Sequence, residues 1–127
     1  MSYKIRFVDY AKNYLMFKSE IDEAIYGCLS AGNLILREDV EIFEKKLAEI
    51  LGVKYAVALN SGTDALILSL KAIGIQRGDG VITTAHTFWA TLEAIYHVGA
   101  MPILVDIKSD GTINPDLIEK AITLKTR

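Results

Sequence analysis

The stretch Tyr55-Ala56-Val57-Ala58-Leu59-Asn60-Ser61-Gly62-Thr63-Asp64-Ala65-Leu66-Ile67-Leu68-Ser69-Leu70-Lys71-Ala72-Ile73-Gly74 decides the fold. Residues 55–59 form a short continuous apolar run, the pattern of a strand buried on both faces. Asn60-Ser61-Gly62-Thr63 breaks the run, and residues 64–73 follow as a helix so apolar that it is expected to be packed nearly all round. Gly74 stops it. Gly78-Asp79-Gly80 then turns the chain into a second strand, residues 81–84. A helix over about 88–98 comes next, followed by Gly99 and a third strand at 101–105. Residues 106–112 are a polar loop with Asp110-Gly111 as its turn. Asn114-Pro115 reads as an N-cap followed by proline at the first helical position, opening a helix to about 122. Strand and helix alternating three times predict a parallel α/β sheet. Such a rhythm calls for a further strand after the last helix, yet the sequence given stops at Arg127. The alternative is a closing cap helix with a frayed tail.

Working back toward the N-terminus, the rhythm is helical. Over residues 14–31, Phe17, Ile21, Ile25 and Cys28 recur at spacings of three and four, one face of a helix. Gly32-Asn33 supplies residues that tolerate the left-handed conformation and stop it. A second helix is expected over about 37–51, with Val40, Phe43, Leu47 and Ile50 as its stripe. Glu38, Asp39 and Glu41 suit its positive end, and Gly52 closes it. The whole chain of 127 residues is 51% hydrophobic and 24% charged with a net charge of -2, and its mean hydropathy is +0.27. Disorder is excluded at that composition. One cysteine, Cys28, excludes a disulfide framework and a cysteine-rich zinc site. The charge gives no reason to expect nucleic acid, and no apolar run approaches the roughly 18 residues of a membrane span. The N-terminal residues run into Asp9, Lys12 and Asn13 rather than a signal-peptide core. A globular, cytoplasmic, single-domain chain is expected.

In open α/β sheets, ligands bind beyond the carboxyl ends of strands, where helix N-termini converge. Asn60-Ser61-Gly62-Thr63 is one such junction. Gly62 allows close backbone approach, Ser61 and Thr63 offer hydroxyls, and the helix dipole favours an anion such as a phosphate. The stretch is neither GxGxxG nor a P-loop, which argues against a nucleoside triphosphate. The plain alternative is that Ser61 only caps a helix. The second junction is Ala85-His86-Thr87-Phe88-Trp89-Ala90-Thr91. Its aromatic pair, with His86 beside it, is either core or a platform for a planar ring. His97 reads as a packed or surface residue, and Cys28 as core. Carbonyl–amine chemistry needs a lysine desolvated in a pocket. None of the ten lysines follows a strand in an apolar setting.

The residues also match a known pattern. Residues 52–66, Gly78-Asp79 with Val81-Ile82, Thr87-Phe88-Trp89-Ala90-Thr91 and Gly99-Ala100-Met101-Pro102-Ile103-Leu104-Val105-Asp106 closely resemble the DegT/StrS-type sugar-nucleotide aminotransferases. Phe7-Val8-Asp9, residues 32–36, Phe43-Glu44 and Ala121-Ile122-Thr123 fall in the same order and spacing. The resemblance implies a fold-type I, pyridoxal-phosphate (PLP) enzyme that moves an amino group, typically from glutamate, to a nucleotide-linked keto sugar. It implies that Gly62 and Thr63 hold the cofactor phosphate, that Phe88 stacks on the pyridine ring, and that Asn33 and Leu34 lie near the substrate or the interface of a homodimer. No metal is implied. The family's Schiff-base lysine, and the aspartate that pairs with the pyridine nitrogen, fall beyond Arg127. Residues 1–127 are therefore expected to be an N-terminal part of the large cofactor-binding domain, apparently truncated, with helices over 1–53 and the start of the sheet over 54–127. Relatives usually carry glutamate at Gly80 and glycine at Arg37, and a proline is common near Thr84. A PLP-dependent sugar dehydratase of the same fold, and a non-catalytic remnant or interaction module, are the alternatives.

Overall fold

A computed structural model describes residues 7–32, 34–35 and 38–127. Its contacts divide the chain into two units between residues 58 and 59. In the first unit, Asp9 caps α1 (Tyr10–Met16) by accepting a hydrogen bond from Lys12 N at 3.1 Å. Where one helix is expected over 14–31, the structure has two. Phe17 leaves the helical region at φ -118°, ψ 16°, and α2 (Lys18–Ser30) begins after it. The two helices are pinned across the break. The Tyr14 hydroxyl donates to Asp22 Oδ1 at 2.7 Å, and Lys18 pairs with Asp22 Oδ2. This polar pin draws on Tyr14, Lys18 and Asp22, which the apolar stripe does not include. No residue of α2 is buried. The third helix, α3 (Glu38–Leu51), begins after Arg37, which lies outside the described residues, and it buries Ala48 alone.

Residues 55–59 are the main departure in the fold. No strand forms there. Tyr55 is 73% exposed and Val57 75% exposed. Ala58 N donates to Glu44 Oε1 at 2.7 Å. The reason is pairing rather than propensity. A strand exists only as part of a ladder, and no described residue pairs with this one.

The second unit carries the α/β alternation. Ser61 caps α4 (Gly62–Ala72), which begins two residues earlier than expected. Only Ile67 of α4 is buried, so the all-round packing inferred from its composition is absent. The strand β1 (Gly80–Thr84) leads to α5 (Trp89–His97), and β2 (Met101–Val105) follows. The two strands are parallel, in register from Gly80 with Met101 to Thr84 with Val105. Gly99 makes the turn from α5 into β2. At φ 80° it takes the left-handed conformation, while Ala100 N reaches back to Ile95 O at 3.1 Å. The core sits where α4, α5 and the strands meet: Ile75, Ile95 and Ala100, flanked by Leu70, Val81 and Val98.

Asn114 Oδ1 accepts from Asp116 N at 3.0 Å with Pro115 inside the first turn, as expected. A 3₁₀ turn (Pro115–Leu117) runs into α6 (Ile118–Ala121). The tail then returns to the sheet. Gly80 N donates to Lys125 O at 2.7 Å, Arg127 N donates to Gly80 O at 3.1 Å, and Thr126 bridges Gly80 in parallel. The tail thus touches the sheet through one isolated parallel bridge. Gly80 is buried in this arrangement, and a Cβ there would stand 2.6 Å from Ile103 Cδ1.

Candidate functional site

The Asn60–Asp64 turn is built by hydrogen bonds that converge on Asp64. Ser61, with extended backbone, accepts from Asp64 N at 3.0 Å through its hydroxyl oxygen. The same hydroxyl donates to Asp64 Oδ2 at 2.8 Å, and Asn60 Nδ2 donates to that oxygen at 2.7 Å. Ala65 N is taken by Ser61 O at 3.0 Å. Ser61 therefore caps the helix, the plainer of its two readings. Among the described residues, the Gly62 and Thr63 amides and the Thr63 hydroxyl have no partner in the structure. No atom lies within 4 Å of a Cβ built on Gly62. Three free donors around open space, at the positive end of an eleven-residue helix, are a donor set for an anion. The sequence pattern points to Ser61, Gly62 and Thr63, and the structure adds Asp64 to them. The signal was present as Ser-x-x-Asp, the spacing of a capping box.

The Ser61 hydroxyl, and after it the Asn60 amide, hold the Asp64 carboxyl below the ordinary carboxylate value, and the charge of His97 adds to the effect. A carboxyl whose folded-state value is lowered stabilises the fold above the unfolded value and ceases to do so as the pH falls through the folded one. Asp22 and Asp110 are lowered in the same sense. Thermal stability is thus expected to fall as the pH drops below about 4. Asp64→Asn is expected to flatten part of that slope. Superimposable acid titrations of the two proteins would show that the Asp64 bonds contribute nothing to stability.

The second junction places Phe88 as the N-cap residue of α5, with its side chain 80% exposed. Trp89 is exposed beside it. Neither ring belongs to the core of this chain. No hydrogen bond or ring contact among the described residues joins Phe88 to Gly62 or Thr63, which stand on the neighbouring helix α4. His86 lines an open groove of about 500 Å³ with Ala85, Leu104, Val105, Asp106 and Ile107, at the carboxyl ends of β1 and β2. His97 is an exposed residue of the last turn of α5. Cys28 is half-buried. Leu34 is 63% exposed, and Asn33 lies outside the described residues. Among the described residues no cluster of three or more His, Cys, Asp or Glu could hold a metal, and no helix is long and apolar enough to cross a membrane.

A model of the DegT/DnrJ/EryC1/StrS aminotransferase family matches residues 16–127. The chain belongs to this family. Among its relatives is a dTDP-3-amino-3,4,6-trideoxy-alpha-D-glucose transaminase of Streptomyces venezuelae, 39% identical over 98% of this chain and 33% of the relative. A crystal structure of S. venezuelae DesV in complex with a ketimine intermediate superposes with a TM-score of 0.94. It is 38% identical and covers 99% of this chain and 34% of that one. A GDP-4-keto-6-deoxymannose-3-dehydratase with a trapped PLP-glutamate geminal diamine stands further off, at 27% identity and a TM-score of 0.77, covering 83% of this chain and 29% of that one. The chain thus spans about a third of the length of the relatives it matches. Its helices and two-stranded parallel sheet are part of the fold-type I transferase architecture that the family shares.

Proposed function

We propose that residues 1–127 are the N-terminal part of the large cofactor-binding domain of a cytoplasmic, homodimeric enzyme. In this reading the enzyme transfers an amino group from glutamate to a nucleotide-linked keto sugar, with PLP as cofactor. The carrying observation is the donor set at α4: the Gly62 and Thr63 amides and the Thr63 hydroxyl, all unengaged and grouped at a helix N-terminus. Their chemistry fits the phosphate of PLP. That cofactor supplies the electron sink that lets an amino group move between carbon skeletons. This chain's part is to bind and orient. Gly62 and Thr63 hold the phosphate, and the exposed face of Phe88 lies against the pyridine ring. The exposed aliphatic segment at Leu34, with Asn33 beside it in sequence, contributes to the substrate side or the dimer interface. The dehydratase reading is the weaker one, since the dehydratase is the less similar relative by both identity and TM-score.

The test is spectroscopic. The enzyme carrying this chain, loaded with PLP, is expected to change its cofactor absorbance on addition of glutamate and to recover it on addition of a keto sugar nucleotide. An enzyme that consumes the sugar without returning an aminated product is a dehydratase. In Phe88→Ala the cofactor is expected to dissociate several-fold faster, for a stacking contribution of about 1 kcal/mol. The melting temperature without PLP should hardly move, because Phe88 is not part of the core. A change in melting temperature with unchanged PLP release would remove Phe88 from the site.

A further inference from the structure

We propose that Asp64 is the positioning residue of the anion cradle, holding the Asn60–Ser61 turn so that a phosphate meets the Gly62 and Thr63 amides and the Thr63 hydroxyl. This rests on the reading of the turn as the phosphate site of PLP. One oxygen, Asp64 Oδ2, accepts from both the Asn60 amide at 2.7 Å and the Ser61 hydroxyl at 2.8 Å. A serine hydroxyl has one proton to give, and here Asp64 takes it. Ser61 is therefore no donor to an incoming anion, and the phosphate falls to the next two residues. Both bonds come from residues that precede α4, while Asp64 sits in its first turn. The carboxylate thus fastens an otherwise irregular segment to the helix end. Without it, ordering of Asn60 and Ser61 is left to the ligand and weakens its binding.

Electrostatics alone argues the opposite. A carboxylate near the place of a phosphate repels it, so its removal would tighten binding. The two effects differ in sign, and one measurement separates them. The carboxylate faces two donors and water, and its repulsion is correspondingly screened.

The experiment is calorimetric titration of the cofactor-free enzyme with PLP and, separately, with pyridoxal, which lacks the phosphate. The ³¹P resonance of bound PLP is recorded alongside. Asp64→Ala is expected to weaken PLP about tenfold, and pyridoxal about twofold at most, for the loss of a pair of hydrogen bonds to a charged group. The phosphorus resonance should move. Asp64→Asn keeps an acceptor oxygen and is expected to recover most of the affinity. Unchanged or tighter PLP binding by Asp64→Ala overturns the proposal, and so do equal losses for the two ligands. Should Asp64→Ala fail to fold, Asn60→Ala, outside the helix, removes one of the two bonds. It is expected to give a smaller loss of the same selectivity, and no loss again overturns the role. A wild-type enzyme that does not prefer PLP to pyridoxal brings down the phosphate reading of the turn and this inference with it. If it does prefer PLP and Asp64→Ala prefers it equally, only the role of Asp64 falls.

Discussion

Gly62→Val is expected to lower the affinity for PLP by an order of magnitude or more while α4 and its melting behaviour persist. Gly62 is not among the glycines at positive φ, so a β-branched residue fits its conformation without strain. Beyond its chain neighbours and its own helix, no described atom stands within 4 Å of the position a Cβ would take, so the protein itself does not resist the substitution. A β-branched side chain at this helix end is expected to crowd an anion that approaches the Gly62 and Thr63 amides. Hydrogen bonds from such amides to a charged group are worth about 1.5–3 kcal/mol each. Losing one is already about tenfold or more in affinity. Fluorescence titration of the cofactor-free enzyme measures the change, and a melting curve without PLP checks the fold. Unaltered PLP binding in Gly62→Val would remove this helix end from the cofactor site.

The parts of the fold legible in the sequence are those fixed by local chemistry. Gly99 ends α5, and Asn114-Pro115 opens the last helical turn, because each residue type favours a backbone conformation needed there. The strand β2 falls on the residues expected, since its partner β1 lies in the same chain. Residues 55–59 read equally well as a strand, but their pairing is long-range. A period or an apolar run says nothing about whether a partner is within reach. The same distinction explains α4. Its composition predicts burial on every side, whereas burial is set by neighbours, and here only Ile67 is covered. The break at Phe17 was hidden for another reason. The apolar stripe starts at Phe17 itself, and the polar pin made by Tyr14, Lys18 and Asp22 lies off that stripe. At the candidate site the residue types were readable, because a glycine and a hydroxyl residue at a helix N-terminus are candidate anion donors, and the resemblance names Gly62 and Thr63. Which donors stay free was not. That depends on the rotamers of Asn60, Ser61 and Asp64, which are chosen by hydrogen bonds rather than by spacing.

The 127-residue chain by itself is expected to bind a hydrophobic dye, to melt without a sharp transition, and to leave the spectrum of added PLP unresponsive to glutamate. Cooperative unfolding needs a core large enough to offset backbone ordering of about 1–2 kcal/mol per residue. The first unit offers little toward that, for Ala48 is its one buried residue among those described. The second unit has the cluster of Ile75, Ile95 and Ala100, with Ile67, Ala90 and Ala94 as its other fully covered apolar side chains. Against these stand exposed apolar side chains along α1, α2, residues 55–59 and α4, of the kind that seek cover in a partner or an aggregate. The tail lays one parallel bridge, from Thr126 to Gly80, on an edge of β1 that runs four residues further to Thr84. A sheet of two strands with one short bridge is marginal in water. The unresponsive spectrum is expected for a separate reason, since the family resemblance assigns the Schiff-base role to none of the ten lysines of this chain. Calorimetry and dye fluorescence test the first claim, and absorbance with PLP and glutamate tests the second. A monomer that unfolds in one cooperative step would overturn the first, and one that transaminates would overturn the second.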